Sequence, residues 1–236
     1  MSLKPPLKLL IVGQASFRAF RNIWMLEELR VPYDHSPASP WSDEAKRYSP
    51  LGKVPSLVVN KGETDEFAVY ESAAINTFLG DVHQSPLVPP LSTRNRALYD
   101  QSISFLITEI DAQALWIHRK HADLGKVFGF IPDVVQAAKK QFDRANKVMI
   151  DQLNPFLLGP DFSAADIVYV HCLTWAQAIG WDDGCKENDK IKCYLHLCQT
   201  REGFQKVWQV REFEEQARAK YIKDKEEPSR DPNSKL

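Results

Sequence analysis

Apolar positions follow two different rhythms along this chain. Up to about residue 82, short apolar runs alternate with stretches of helical spacing. "KLLIVG" (8–13) is a continuous apolar run closed by Gly13, the pattern of a buried strand. From Phe17 to Leu29 the apolar residues fall at Phe17, Phe20, Ile23, Trp24, Leu26 and Leu29, which puts them on one side of a helix. "VPYDHSPASP" predicts a short extended piece broken by prolines, and "SDEAKRY" one or two helical turns. "VPSLVV" (54–59) reads as a second apolar strand, "KGETDE" as a turn, "FAVY" (67–70) as a short strand, and "ESAAINTFLG" (71–80) as a helix. The order β-α-β-α-β-β-α predicts an α/β domain, a mixed sheet with helices packed on it.

The rhythm then changes. "HQSPLVPPLS" (83–92) is rich in proline and reads as a linker. Beyond it the spacing is helical, with candidates at 93–122, 132–153, 163–180, 188–199 and 201–221, so the second domain is predicted to be an all-α helical bundle. From Ile222 the chain is polar and is expected to be a flexible tail. The predicted organisation is 1–82, linker 83–92, 93–221 and tail 222–236.

Composition narrows the function classes. Thirty Lys+Arg stand against thirty-one Asp+Glu in 236 residues. Such balance gives no electrostatic reason to expect nucleic acid or an anionic membrane as partner. No apolar run has the length of a membrane span, and "MSLKPPLK" lacks the features of a secretion signal. Cys172, Cys185, Cys193 and Cys198 have gaps that fit no zinc pattern, so no metal is expected.

Three stretches carry candidate chemistry. "GQASFRAFRN" (13–22) joins the first strand to the first helix, and Ser16 is either a helix cap or a hydroxyl aimed at a reactive atom. In "SPLGKVPSLVV" (49–59), Pro55 opens an apolar strand. A trans Val54–Pro55 bond would make it an ordinary edge strand. A cis bond would leave the Val54 backbone free to pair with an extended peptide. In "YESAAI" (70–75), Glu71 and Ser72 start a helix directly after a strand. They either cap it or hold an ammonium and a carboxylate at its positive end.

Taken in order, "RNIWMLEEL", "SPLGKVPSLV", "YESAAI" and "GPDFSAADI" (159–167) resemble the cytosolic-type glutathione S-transferases over about residues 8–215. Ser163 and Asp166 in the last stretch have capping-box spacing. The resemblance implies a thioredoxin-like first domain and an all-helical second one. It implies a serine-type member, since no tyrosine or cysteine precedes Tyr33, with Ser16 as the catalytic hydroxyl. It further implies that Val54, next to Pro55, pairs with the cysteinyl unit of glutathione. Glu71 and Ser72 would hold its γ-glutamyl end, and Lys53 its glycine carboxylate. Glutathione would be a co-substrate whose thiolate attacks a small electrophile, with peroxidase or isomerase chemistry as side activities and detoxification as the role. Phe17, Trp41, Trp116 and Arg119 would border the electrophile. His118 and His121 are expected at the surface, and Trp175 and Trp181 in the helical core. A homodimer is implied, and the alternative is a non-catalytic binding or scaffold protein. Finally, Ser234-Lys235-Leu236 has the form of a peroxisomal address if native to a eukaryote; otherwise a cytoplasmic location is expected.

Overall fold

The computed structural model describes residue 3, residues 5–186 and residues 188–226, the side chains of 222–226 excepted. Ser234, Lys235 and Leu236 lie outside the described residues.

The first domain is a four-stranded mixed sheet, β1 (Leu9–Val12), β2 (Asp34–Ser36), β3 (Ser56–Val59) and β4 (Phe67–Tyr70), in the order β2-β1-β3-β4. β2 runs parallel to β1, β3 antiparallel to β1 and β4 antiparallel to β3. The central strands are buried along their whole length because both faces are covered. Leu9, Ile11, Leu57 and Val59 point into the main core. There they meet α1 (Ala19–Leu29) and α3 (Ser72–Val82). Leu10, Val12 and Val58 form a smaller cluster with Ala38 and Tyr48. α2 (Asp43–Tyr48), capped by the Ser42 side chain at Ala45 N, brings Tyr48 to that second face.

Helices are the regular elements of the second domain among the described residues, with a loop at 153–163 that carries one isolated bridge, Phe156 to Gly159. α4 starts at Arg94–Phe105, capped by Thr93, and continues to Asp123. The sequence predicts an ordinary α-helix there. Instead, Leu106–Leu115 and Arg119–Asp123 are wider π-type turns. The widening lets Asp111 and Trp116, five residues apart, both face the cleft described below.

α5 (Gly125–Phe128) and α8 (Asp183–Lys186) are short helices without a predicted counterpart. α6 (Pro132–Gln152), α9 (Asp189–Gln199) and α10 (Glu202–Glu226) flank the central α7 (Ala164–Ala178). α7 is buried nearly all round. Its first turn is fixed by a capping box in which Asp166 accepts from Ser163 N at 2.9 Å and Ser163 Oγ at 2.8 Å. α10 runs to Glu226, past Ile222 where the tail was expected to begin.

The two domains are clamped along α1. Arg201 of the helical domain makes a fork to Glu28, with Nη2 at 2.7 Å and Nε at 2.9 Å. Trp24 packs against Phe162 and Phe204 at ring distances of 5.6 and 5.0 Å.

Candidate functional site

A cleft of about 770 Å³ lies between the domains. One wall is built by three chain segments at one end of the sheet: the β1–α1 turn, the loop before β3, and the β4–α3 junction. The other wall belongs to α4, α7 and α10. Ser16, Phe17, Trp41, Lys53, Val54, Pro55, Glu71, Ser72, Trp116 and Arg119 all line it.

Ser16 sits half-buried in the turn 15–18. Its hydroxyl has no hydrogen-bond partner among the described residues, and α1 begins at Ala19 without any side-chain cap. The hydroxyl is therefore available rather than spent on the helix.

Gly13, at φ +135°, lets β1 run close past the next segment, since a Cβ there would stand 2.9 Å from Val54 Cβ. The Val54–Pro55 bond is cis. Neither the N–H nor the C=O of Val54 is paired with another described residue. Lys53 is exposed beside it.

Glu71 has φ +72°, a conformation that costs a non-glycine residue about 1–3 kcal/mol and that must be held by its surroundings. Its carboxylate is exposed and caps nothing. Ser72 is buried, and its Oγ accepts from Arg21 Nη1 at 3.2 Å. Because that lone pair is taken, the hydroxyl proton is free to turn toward a ligand.

Behind this wall stands a buried ionic cluster. Arg21, fully buried on α1, donates to Asp111 Oδ2 at 2.5 Å, His171 Nδ1 at 3.1 Å and Cys172 Sγ at 3.3 Å. Arg18 donates its Nε to Asp111 Oδ2 at 2.9 Å and its Nη2 to Oδ1. Burial opposes ionisation of Asp111, but the two guanidiniums prevail and hold its carboxyl well below the usual carboxylate range. His171 is neutral: burial pushes it well below its ordinary value, the Arg21 charge adds to this, and Nδ1 is an acceptor. Burial pushes the Cys172 thiol up to about 12, so it is no nucleophile at neutral pH. Asn22 completes the support, donating to Ser72 O at 2.8 Å and Asn76 Oδ1 at 2.7 Å.

The helical wall is aromatic and cationic. The Arg18 guanidinium lies 5.6 Å from the Trp116 ring and 5.2 Å from the Trp175 ring. Arg119 stands 5.1 Å over the Phe17 ring. One expectation is corrected here, that for His118. Trp175 is half-buried: it packs against the helical core as expected, and it also lines the cleft, where Arg18 lies over its ring. His118 is buried rather than at the surface, edge-on to the buried Trp181 at 4.9 Å. His121 is half-buried, with Nδ1 3.0 Å from Gly129 O. Trp41 is exposed on the opposite rim, its backbone N–H donating to Gly52 O at 2.7 Å, next to Lys53 rather than to the aromatic wall.

A carboxylate from the far end of the chain reaches the Ser16 turn. Glu214 on α10 accepts from Ala15 N at 2.7 Å, and the Ser16 backbone N–H also points to it. Burial raises its pKa, opposed by those N–H groups. His35 stands 3.5 Å from its other oxygen.

Residues 15–82 match the family model described as glutathione S-transferase, N-terminal domain. Among solved structures, a glutathione transferase from Methylococcus capsulatus str. Bath superposes with a TM-score of 0.71 at 20% identity, covering 87% of this chain and 99% of that one. A family member from Pseudomonas fluorescens Pf-5, with two glutathione bound, gives 0.74 at 18% identity over 85% and 92%. A transferase from Phanerochaete chrysosporium with oxidized glutathione gives 0.72 at 19% over 89% and 97%. The fold is that of the glutathione transferases. Comparison with curated proteins gives no match.

Within this glutathione-transferase fold, the sequence reading missed Asp111, His171, Trp175, Arg211, Arg218 and the supporting Glu214. Two polar residues, Arg21 and Asn22, sit inside an otherwise apolar helix start. That pairing was the available sign of a buried polar cluster. Among the described residues no group of His, Cys, Asp and Glu could hold a metal ion, and no helix is long and apolar enough to cross a membrane.

Proposed function

We propose that the protein is a glutathione transferase in which Ser16 donates its hydroxyl to the glutathione sulfur. The observation that carries this reading is the convergence on one cleft of a free hydroxyl, an unpaired strand-like backbone at Val54, and the Glu71–Ser72 pair at a helix start. Val54 would pair with the cysteinyl unit, Glu71 would hold the α-ammonium, and Ser72 with the α3 N-terminus would hold the α-carboxylate. Lys53 would meet the glycine carboxylate at the open rim.

A free thiol with a pKa of about 8.5 is only a few per cent ionised at neutral pH. Lowering that pKa by about two units takes about 2.7 kcal/mol, within reach of one hydrogen bond to a charged sulfur plus helix-end amides. The thiol proton leaves to solvent. The thiolate then forms the carbon–sulfur bond, and the leaving group departs with the electron pair of the broken bond.

Expected for Ser16→Ala is a fall in turnover of tenfold or more, with a raised thiol pKa in the bound complex and little loss of glutathione affinity. Equal thiol pKa and turnover in the two proteins would remove Ser16 from the mechanism.

One observation favours a second reading, a glutathione-binding protein with little turnover. The Glu214 carboxylate holds the amides of the Ser16 turn, and a negative charge near the sulfur opposes ionisation. An unshifted thiol pKa in the wild-type complex would select it. A homodimer, a detoxifying role and a peroxisomal or cytoplasmic address are proposed on the resemblance and on Ser234-Lys235-Leu236 alone.

A further inference from the structure

We infer that the helical-domain half of the cleft takes a planar organic carboxylate, a flat apolar body carrying one anionic group. This deepens the transferase reading and rests on glutathione occupying the half between Ser16 and Glu71.

The argument starts from charge. Arg18, Arg119, Arg211 and Arg218 line the cleft on that side. Arg18 and Arg21 together have one carboxylate, Asp111, so their cluster keeps a positive charge. Arg211 is matched by Glu215 at 2.8 Å. Arg119 and Arg218 form no ion pair with any described residue. The acid felt by Arg119 is Asp123, which is exposed and lies nearer to His118, at 3.8 Å from Nδ1. Burial and the neighbouring Arg18 and Arg218 make the Arg119 environment unfavourable for its own charge. The other cleft carboxylate, Glu71, is at the glutathione end.

An uncompensated, partly buried guanidinium recovers most when an oxyanion arrives in its plane, since its fork matches a carboxylate. The walls supply the rest. Trp116, Trp175 and Phe17 offer ring faces and edges to a flat ligand. Ile107, Leu124 and Ile179 give apolar contact. A neutral greasy electrophile would use these walls yet leave Arg119 and Arg218 unmatched.

The test compares a chloronitrobenzoate with its methyl ester. Binding to the full-length protein is followed by calorimetry and by quenching of tryptophan fluorescence, without glutathione and again with S-methylglutathione present. The acid is expected to bind about tenfold more tightly than the ester, as one charged hydrogen-bonded contact warrants. The advantage should shrink at high salt. Arg119→Gln and the exposed Arg218→Gln should each pull the acid-to-ester ratio toward one. Equal affinity for acid and ester, or a ratio untouched by both substitutions, overturns the inference. Ser16-dependent conjugation of the ester with no acid preference would sink this inference and leave the transferase reading standing. Acid preference in a protein that binds no glutathione would do the reverse.

Discussion

Replacing Asp111 by alanine removes the one carboxylate that Arg18 and Arg21 share. Arg21 is fully buried, so its charge cannot turn to water. Its remaining acceptors would be His171 Nδ1, Ser72 Oγ and Cys172 Sγ, all neutral. Removing one partner of such a buried pair costs about 3–5 kcal/mol, most of it the price of the stranded charge. In a chain of this length that lowers Tm by roughly 10 °C. Urea denaturation, read as a drop in midpoint at unchanged slope, measures it directly. Asp111→Asn keeps an acceptor but not the charge and should fall between wild type and alanine. The double change Arg21→Met with Asp111→Leu removes the fully buried pair and should recover part of the loss, with Arg18 left without its carboxylate. The functional readout is separate: with Arg21 unmoored, Ser72 loses its donor, and glutathione affinity should drop. A cost below about 1 kcal/mol for Asp111→Ala would refute the reasoning. It would mean that water or another group already compensates Arg21.

Two further outcomes follow from the same region. Gly13→Ala puts a Cβ 2.9 Å from Val54 Cβ at φ +135°, so it should cost about 1–3 kcal/mol and weaken glutathione binding by displacing Val54. Thermal melting and a glutathione titration check both parts. His171 is held neutral by burial in the folded state and titrates near 6.5 when unfolded. The unfolded chain therefore binds more protons below about pH 6.5, and stability should fall as pH drops through that window. His171→Gln should flatten this part of the stability–pH curve, whereas an unchanged slope would locate the acid sensitivity elsewhere.

The first domain was legible because each of its elements has a strong local signature. "KLLIVG" and "SLVV" are uninterrupted apolar runs, which is what a sheet covered on both faces requires, and Ser42 marks the start of α2 by its side chain. The widened turns of α4 were not legible. A π-type helix has a longer period than an α-helix, but a ten-residue stretch holds too few turns for that difference to stand out in the apolar pattern; it shows only where Asp111 and Trp116 share a face. The same holds for the site. Ser16, Val54, Glu71 and Ser72 lie at ends of strands and helices, where sequence marks the place. Trp175 and Arg218 sit within helices, away from any turn that would mark them, and only the packing of α7 and α10 against α1 brings them to the cleft. His118 looked solvated in "WIHRKH" because the residues that follow it are polar, yet Trp181 comes back over it from beyond α7.

The contact between Glu214 and Ala15 joins residues 199 positions apart. As the chain leaves the ribosome, the sheet and α1 are available long before α10. Until then the amide of Ala15 has no carboxylate to meet, and the turn that carries Ser16 keeps its freedom. The α/β domain can form its strands early, but its reactive turn reaches its final shape only when almost all of the chain has been made. A protein cut short before Glu214 would keep every residue expected to touch glutathione and still lack the tie that fixes this turn.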